Sequence, residues 1–171
     1  MNPRHVIGVD TEVKTLREAD HLLQAVATEL ALPEGTFGCT HLVRGDRPRV
    51  ALSFATTSHA LLETVRERLT AQGYEVSQGA PDAMGRAVLY PGAVDLTGTL
   101  TVAELLSHSA IDRVVVLGTA DPPPPDQRLV TRDHVRPEWR EGRLVLAAMP
   151  AAGGTLVPFE VPDPTPCCAD H

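Results

Sequence analysis

Two capped helical stripes, separated by a pair of short apolar runs, constrain this chain more than any other feature. Thr15-Leu16-Arg17-Glu18 is a capping box, in which the threonine hydroxyl and the glutamate carboxylate can satisfy free amides of a first helical turn. Behind it Leu16, Ala19, Leu23, Val26 and Leu30 recur on one face, joined by Leu22 and Ala27, while Arg17, Asp20, Gln24 and Glu29 are expected to face outward. Pro33 and Gly35 end this helix. A second begins at Thr57 or Ser58, carries Leu61, Leu62, Val65 and Leu69 as its stripe, and stops at Gly73.

Strand signals fill the spaces around these helices. Val6, Ile7, Val9 and Val13 mark a first strand. Residues 40–44 and 49–55 form two more, joined across Gly45-Asp46-Arg47-Pro48, and Tyr74 to Ser77 resumes a fourth. Read in order, residues 5–78 give β-α-β-β-α-β, the split pattern in which two helices cover one face of a four-stranded antiparallel sheet. The expectation is an α+β sandwich with a ferredoxin-like N-terminal half.

The second half is less periodic. After a break at Gly79-Ala80-Pro81-Asp82, Arg86 to Tyr90 reads as a strand. Thr101-Val102-Ala103-Glu104 is another capping box, opening a helix to about Ser109, and Val114 to Leu117 is expected as a fully buried strand. Pro122 to Pro125 suits a stiff surface loop. Two further apolar runs, 144–149 and 156–161, flank Pro150-Ala151-Ala152-Gly153-Gly154 as a β-hairpin. The expected organisation is therefore a ferredoxin-like unit at 1–80, a mixed α/β unit at 81–161 packed on it or continuous with it, and an irregular Pro-rich tail at 162–171.

Composition narrows the function classes. The formal net charge is -7, and Lys14 is the only lysine among 15 basic residues. This arginine, alanine and proline usage reads as the imprint of a GC-rich bacterial genome. An acidic chain gains nothing from counterion release on nucleic acid unless its basic residues concentrate. Arg44, Arg47 and Arg49, and then Arg128, Arg132, Arg136, Arg140 and Arg143, are the candidate patches. Neither has interleaved aromatics, so both read as solvated arginines on a loop and a hairpin, and no nucleic-acid partner is expected. The N-terminus lacks the regions of a signal peptide, no apolar run can span a bilayer, and three cysteines do not make a disulfide framework. A cytoplasmic protein without a membrane partner is expected.

Chemistry-bearing motifs are few. Cys167, Cys168 and His171 place two thiols and an imidazole within five residues, a donor set for zinc or copper. Cys39 and His41 are alternate residues of a strand, share one face, and are possible further ligands. The adjacent cysteines also admit a redox pair. Asp10 and Glu12 would share a side of the first strand and allow acid–base work, Asp133-His134 an oriented base, while Ser107-His108-Ser109 reads as a helix end. No hydrolase elbow, zinc-protease helix or phosphate-cradling loop is spelled in the chain. The leading expectation is a non-catalytic accessory or small-ligand-binding protein that associates with a copy of itself or with another protein. The alternatives are a metal-binding protein using the tail, and an enzyme with a pocket between the two halves.

Overall fold

A computed structural model describes residues 5–162. The described chain is α+β. It runs β1 (His5–Asp10), α1 (Leu16–Glu29), β2 (Phe37–Val43), β3 (Arg49–Thr56), α2 (His59–Ala71), β4 (Glu75–Gln78) and β5 (Arg86–Leu89). It continues with β6 (Thr99–Thr101), α3 (Val102–His108), β7 (Arg113–Val116), β8 (Arg128–Val130), β9 (Glu138–Arg140), β10 (Arg143–Ala151) and β11 (Thr155–Pro158). Among the described residues no helix is long and apolar enough to cross a membrane.

Two compact units divide these elements: one takes the chain up to Pro91 together with Glu138–Gly142, the other takes Gly92–Pro137 and the chain from Arg143 onward. In the first unit the strand order is β4-β1-β3-β2-β5-β9, every pairing antiparallel. Ile7, Val9, Val50, Leu52, Phe54 and Val88 point from this sheet into one cluster with Ala19, Leu23 and Val26 of α1 and Leu62, Val65 and Leu69 of α2. Alternation along the strands then sends Cys39, His41, Ala51, Ser53 and Ala55 to the opposite, helix-free face.

The helix boundaries follow local chemistry. The Thr15 hydroxyl accepts from the Glu18 amide at 3.1 Å and Ser58 accepts from the Leu61 amide at 3.2 Å, each satisfying a free donor of the first turn. Behind α2, Gly73 adopts φ +96°, and the Tyr74 amide reaches back to the Leu69 carbonyl at 3.1 Å. One expected outward residue of α1 is buried instead. Asp20 meets Arg86 of β5 through two bonds of 2.6 and 3.1 Å, and Arg86 also reaches Thr40 at 3.2 Å. An arginine supplied by a strand distant in sequence makes that burial tolerable for a carboxylate.

In the second unit the order is β7-β10-β11-β8-β6, with β7–β10 and β11–β8 parallel and the other pairs antiparallel. Its core includes Leu105, Ile111, Val114, Leu129, Leu144 and Leu146. The capping box at the start of α3 is complete: Thr101 Oγ1 accepts from the Glu104 amide at 3.1 Å, and the Glu104 carboxylate accepts from the Thr101 amide at 2.9 Å. Two expectations are corrected here. The run 114–117 is not fully buried, because only Val114 is enclosed while Val115 and Val116 are half-buried and Leu117 is exposed. The arginine-rich groups, read as solvated arginines on a loop and a hairpin, include two short strands, β8 and β9; each pairs through a few backbone bonds that side-chain periodicity cannot announce.

Candidate functional site

The helix-free face of the first unit carries a buried polar cluster. Cys39 on β2 lies directly across from Ser53 on β3, and His41 is one alternation further along β2 on the same face. The His41 ring stands between two partners: its Nε2 is 2.7 Å from Ser53 Oγ and its Nδ1 is 3.2 Å from Asp82 Oδ1. A carboxylate can only accept, so the proton belongs on Nδ1, which leaves Nε2 to accept the Ser53 hydroxyl. His41 and Ser53 are 3% and 5% exposed, whereas the Asp82 side chain is 51% exposed. The row therefore runs from the protein interior to solvent.

The segment after β4 supplies the carboxylate. Asp82 Oδ1 also accepts the Met84 amide at 2.9 Å, a local turn that fixes the side chain's direction. Gly85 lets this segment lie against the sheet: a β-carbon there would be 3.0 Å from Cys39 Cβ and 3.1 Å from His41 Cε1, tighter than ordinary packing. Its carbonyl accepts the Trp139 amide at 2.9 Å, which brings β9 alongside. The Trp139 ring then meets Phe37 with centroids 5.3 Å apart at 52°.

These elements line an open cavity of about 330 Å³, walled by Val6, Phe37, Cys39, His41, Ser53 and Trp139, with Ala55, Ala80, Asp82, Ala83 and Gly142 completing it. The Cys39 thiol lies in the same wall. Burial pushes it up to about 12, against hydrogen-bonded contacts with Trp139 and Ser53 that pull it down. It is a packed thiol, not a ready nucleophile.

The residues singled out from the sequence fall elsewhere or into other roles. Cys39 and His41 do share a face, but His41 is engaged by Ser53 and Asp82. Among the described residues no group of three or more His, Cys, Asp or Glu side chains could hold a metal ion. Cys167, Cys168 and His171 lie outside the described residues. Asp10 is clamped by Arg49 at 2.6 and 3.1 Å, and the arginine's hydrogen bond holds the carboxyl below its usual range. Glu12 is 3.7 Å from Arg47, so each of these carboxylates has its own arginine. Asp133 accepts the Gly98 amide at 2.9 Å while His134 bonds Glu160 at 2.7 Å, so these two neighbours do not act as a pair. Ser107 and His108 form the last turn of α3.

Ser53 and Asp82 were not singled out from the sequence. The signal for Ser53 is a polar residue between Leu52 and Phe54 in an otherwise apolar strand, at the position facing away from the helices. Asp82 lies in a stretch that reads only as a break, and nothing local assigns it a partner 41 residues earlier.

No protein-family model, no curated protein and no solved structure matches the chain.

Proposed function

We propose that this chain is a small-ligand-binding protein, and that the ligand occupies the cavity on the helix-free face of the first unit. One observation carries the reading: a hydrogen-bonded polar row, Ser53–His41–Asp82, opens onto an otherwise largely apolar cavity of about 330 Å³. Concave, mainly apolar walls with a few fixed polar groups are what a compact organic molecule requires, the walls supplying burial and the polar groups orientation. Among the described residues no arginine or lysine lines this cavity, and Asp82 stands at its exposed end, which disfavours phosphates and carboxylates. The ligand class is thus a small uncharged molecule with one hydrogen-bonding group.

The surrounding scaffold is read as ferredoxin-like. The order β4-β1-β3-β2, the antiparallel pairings and the two helices gathered on one core support this, with β5 and β9 extending the sheet beyond β2. A sheet covered by helices on one face leaves the other available for recognition.

Trp139 is the only tryptophan in the chain and lines the cavity, so its emission reports occupancy. Titration with benzyl alcohol and phenylacetamide, followed by Trp139 fluorescence and thermal unfolding, is expected to give a saturable emission change and a raised midpoint. A Phe37→Ala substitution, which removes the ring against Trp139, should weaken both. Linear, non-saturating quenching with an unmoved midpoint across such a set of neutral aromatics refutes the reading.

A further inference from the structure

We infer that Ser53 is an acyl-accepting nucleophile, and that the cavity takes short uncharged esters which Ser53, His41 and Asp82 hydrolyse. The inference rests on the ligand-binding reading of the same cavity and adds a reaction to it. Three observations point this way. The hydroxyl, imidazole and carboxylate stand in one hydrogen-bonded row, with the imidazole bridging through its two different nitrogens. All three side chains line the cavity, Ser53 at its buried end and Asp82 at its exposed one. The carboxylate is itself oriented by the Met84 amide. This is the arrangement in which a serine becomes reactive: a base takes its proton as it attacks, and a third group holds the base in the right tautomer. Such an arrangement is recognised by geometry, so the chain order His41, Ser53, Asp82 is no obstacle.

The steps balance without any further reactant than water. Ser53 Oγ attacks the ester carbonyl carbon, its proton passes to His41 Nε2, and the carbonyl π electrons move to oxygen. Collapse of the tetrahedral species breaks the bond to the alkoxy oxygen, which leaves with the proton from Nε2. Water then attacks acyl-Ser53, delivers a proton to Nε2, and the acid departs as Ser53 recovers it.

The developing oxyanion needs a donor. Ser53 sits in a strand paired on both sides, with Gly8 of β1 and Cys39 of β2, so its own amide belongs to the sheet. The indole N–H of Trp139 faces the Cys39 thiol on the same wall, and sulfur is a weak acceptor. Redirecting that N–H to a carbonyl oxygen gains a stronger acceptor, which assigns Trp139 the stabilising role. Among the described residues the titratable groups that line the cavity with His41 are Asp82 and Cys39. Asp82 is a positioning residue, acting through His41.

The test uses the full chain with p-nitrophenyl acetate and butyrate, and with diisopropyl fluorophosphate read by peptide mass spectrometry. Expected are a phosphoryl adduct on Ser53 and ester turnover lost in Ser53→Ala down to the background of surface histidines. In Asp82→Asn, a half-exposed and foldable position, acylation should fall on the order of 100-fold or more. The loss should lie in kcat with KM little changed, because Asp82 orients the base rather than supplying binding energy to the ester. If Trp139 reports benzyl alcohol binding but no adduct forms on Ser53 and Ser53→Ala turns over esters like the parent, the reaction is overturned and the binding reading survives. With neither a Trp139 response nor an adduct, both fall.

Discussion

Removing the carboxylate of Asp20 should destabilise the first unit by about 3 kcal/mol. Asp20 and Arg86 side chains are 9% and 13% exposed, and two bonds of 2.6 and 3.1 Å join them in fork geometry. Breaking a buried pair typically costs about 3–5 kcal/mol, since the surviving charge keeps its desolvation without its counter-charge. The lower end applies here because Arg86 keeps a bond to Thr40 at 3.2 Å. With a urea slope of about 1–3 kcal/mol per molar, Asp20→Ala should lower the midpoint by roughly 1–3 M. Urea titration followed by circular dichroism and Trp139 emission measures it. The cycle of Asp20→Leu, Arg86→Leu and Asp20→Leu/Arg86→Leu adds a sharper demand, because apolar replacement of both partners is often neutral or better. The reasoning is refuted if Asp20→Ala loses under about 1 kcal/mol, or if the double variant loses the sum of the singles.

Other expectations follow from single contacts. Gly92 adopts φ +83°, and a β-carbon there would overlap the His108 carbonyl, so Gly92→Ala should cost at least about 2 kcal/mol in thermal or urea unfolding. Leu23 is fully buried and its methyls lie where a Gly38 β-carbon would be, so Leu23→Ala should cost about 3–5 kcal/mol, with unfolding as the measurement. Asp10 titrates below its usual range when folded, so its pairing with Arg49 contributes above the unfolded carboxyl's pKa and is lost as pH falls through the folded value. Being partly exposed, the pair should be worth under about 1 kcal/mol, seen as a flatter acid limb in Asp10→Asn. Cys39 is raised from 9.0 to about 12, so stability should decline as pH climbs from 9.0 towards 12, the unfolded thiol ionising first, and Cys39→Ala should flatten that alkaline limb. The same burial should keep the Cys39 peptide unlabelled by iodoacetamide until urea unfolds the chain, as peptide mapping would show.

Local chemistry was sufficient for the elements that local chemistry makes. The caps at Thr15, Ser58 and Thr101, the stop at Gly73 and the apolar stripes of α1 and α2 are set by residues within a turn or two of one another, and each is legible without a partner. The shared face of Cys39 and His41 follows likewise from the two-residue period of a strand. Asp20, Ser53 and Asp82 were different. A carboxylate on a helix looks the same in sequence whether it meets water or an arginine 66 residues away, and its burial depends on where β5 joins the sheet. Likewise His41 is polar in any reading, but only the stacking of β3 beside β2 and the return of the chain over Gly85 turn it into the middle of a hydrogen-bonded row. Sequence alone thus determined the three helices and the strands with a clear apolar pattern, because propensity, capping and periodicity act over a few residues; the short strands β8 and β9, the cavity and its polar row were decided by tertiary structure, because strand pairing and the geometry of a site depend on residues far apart in the chain.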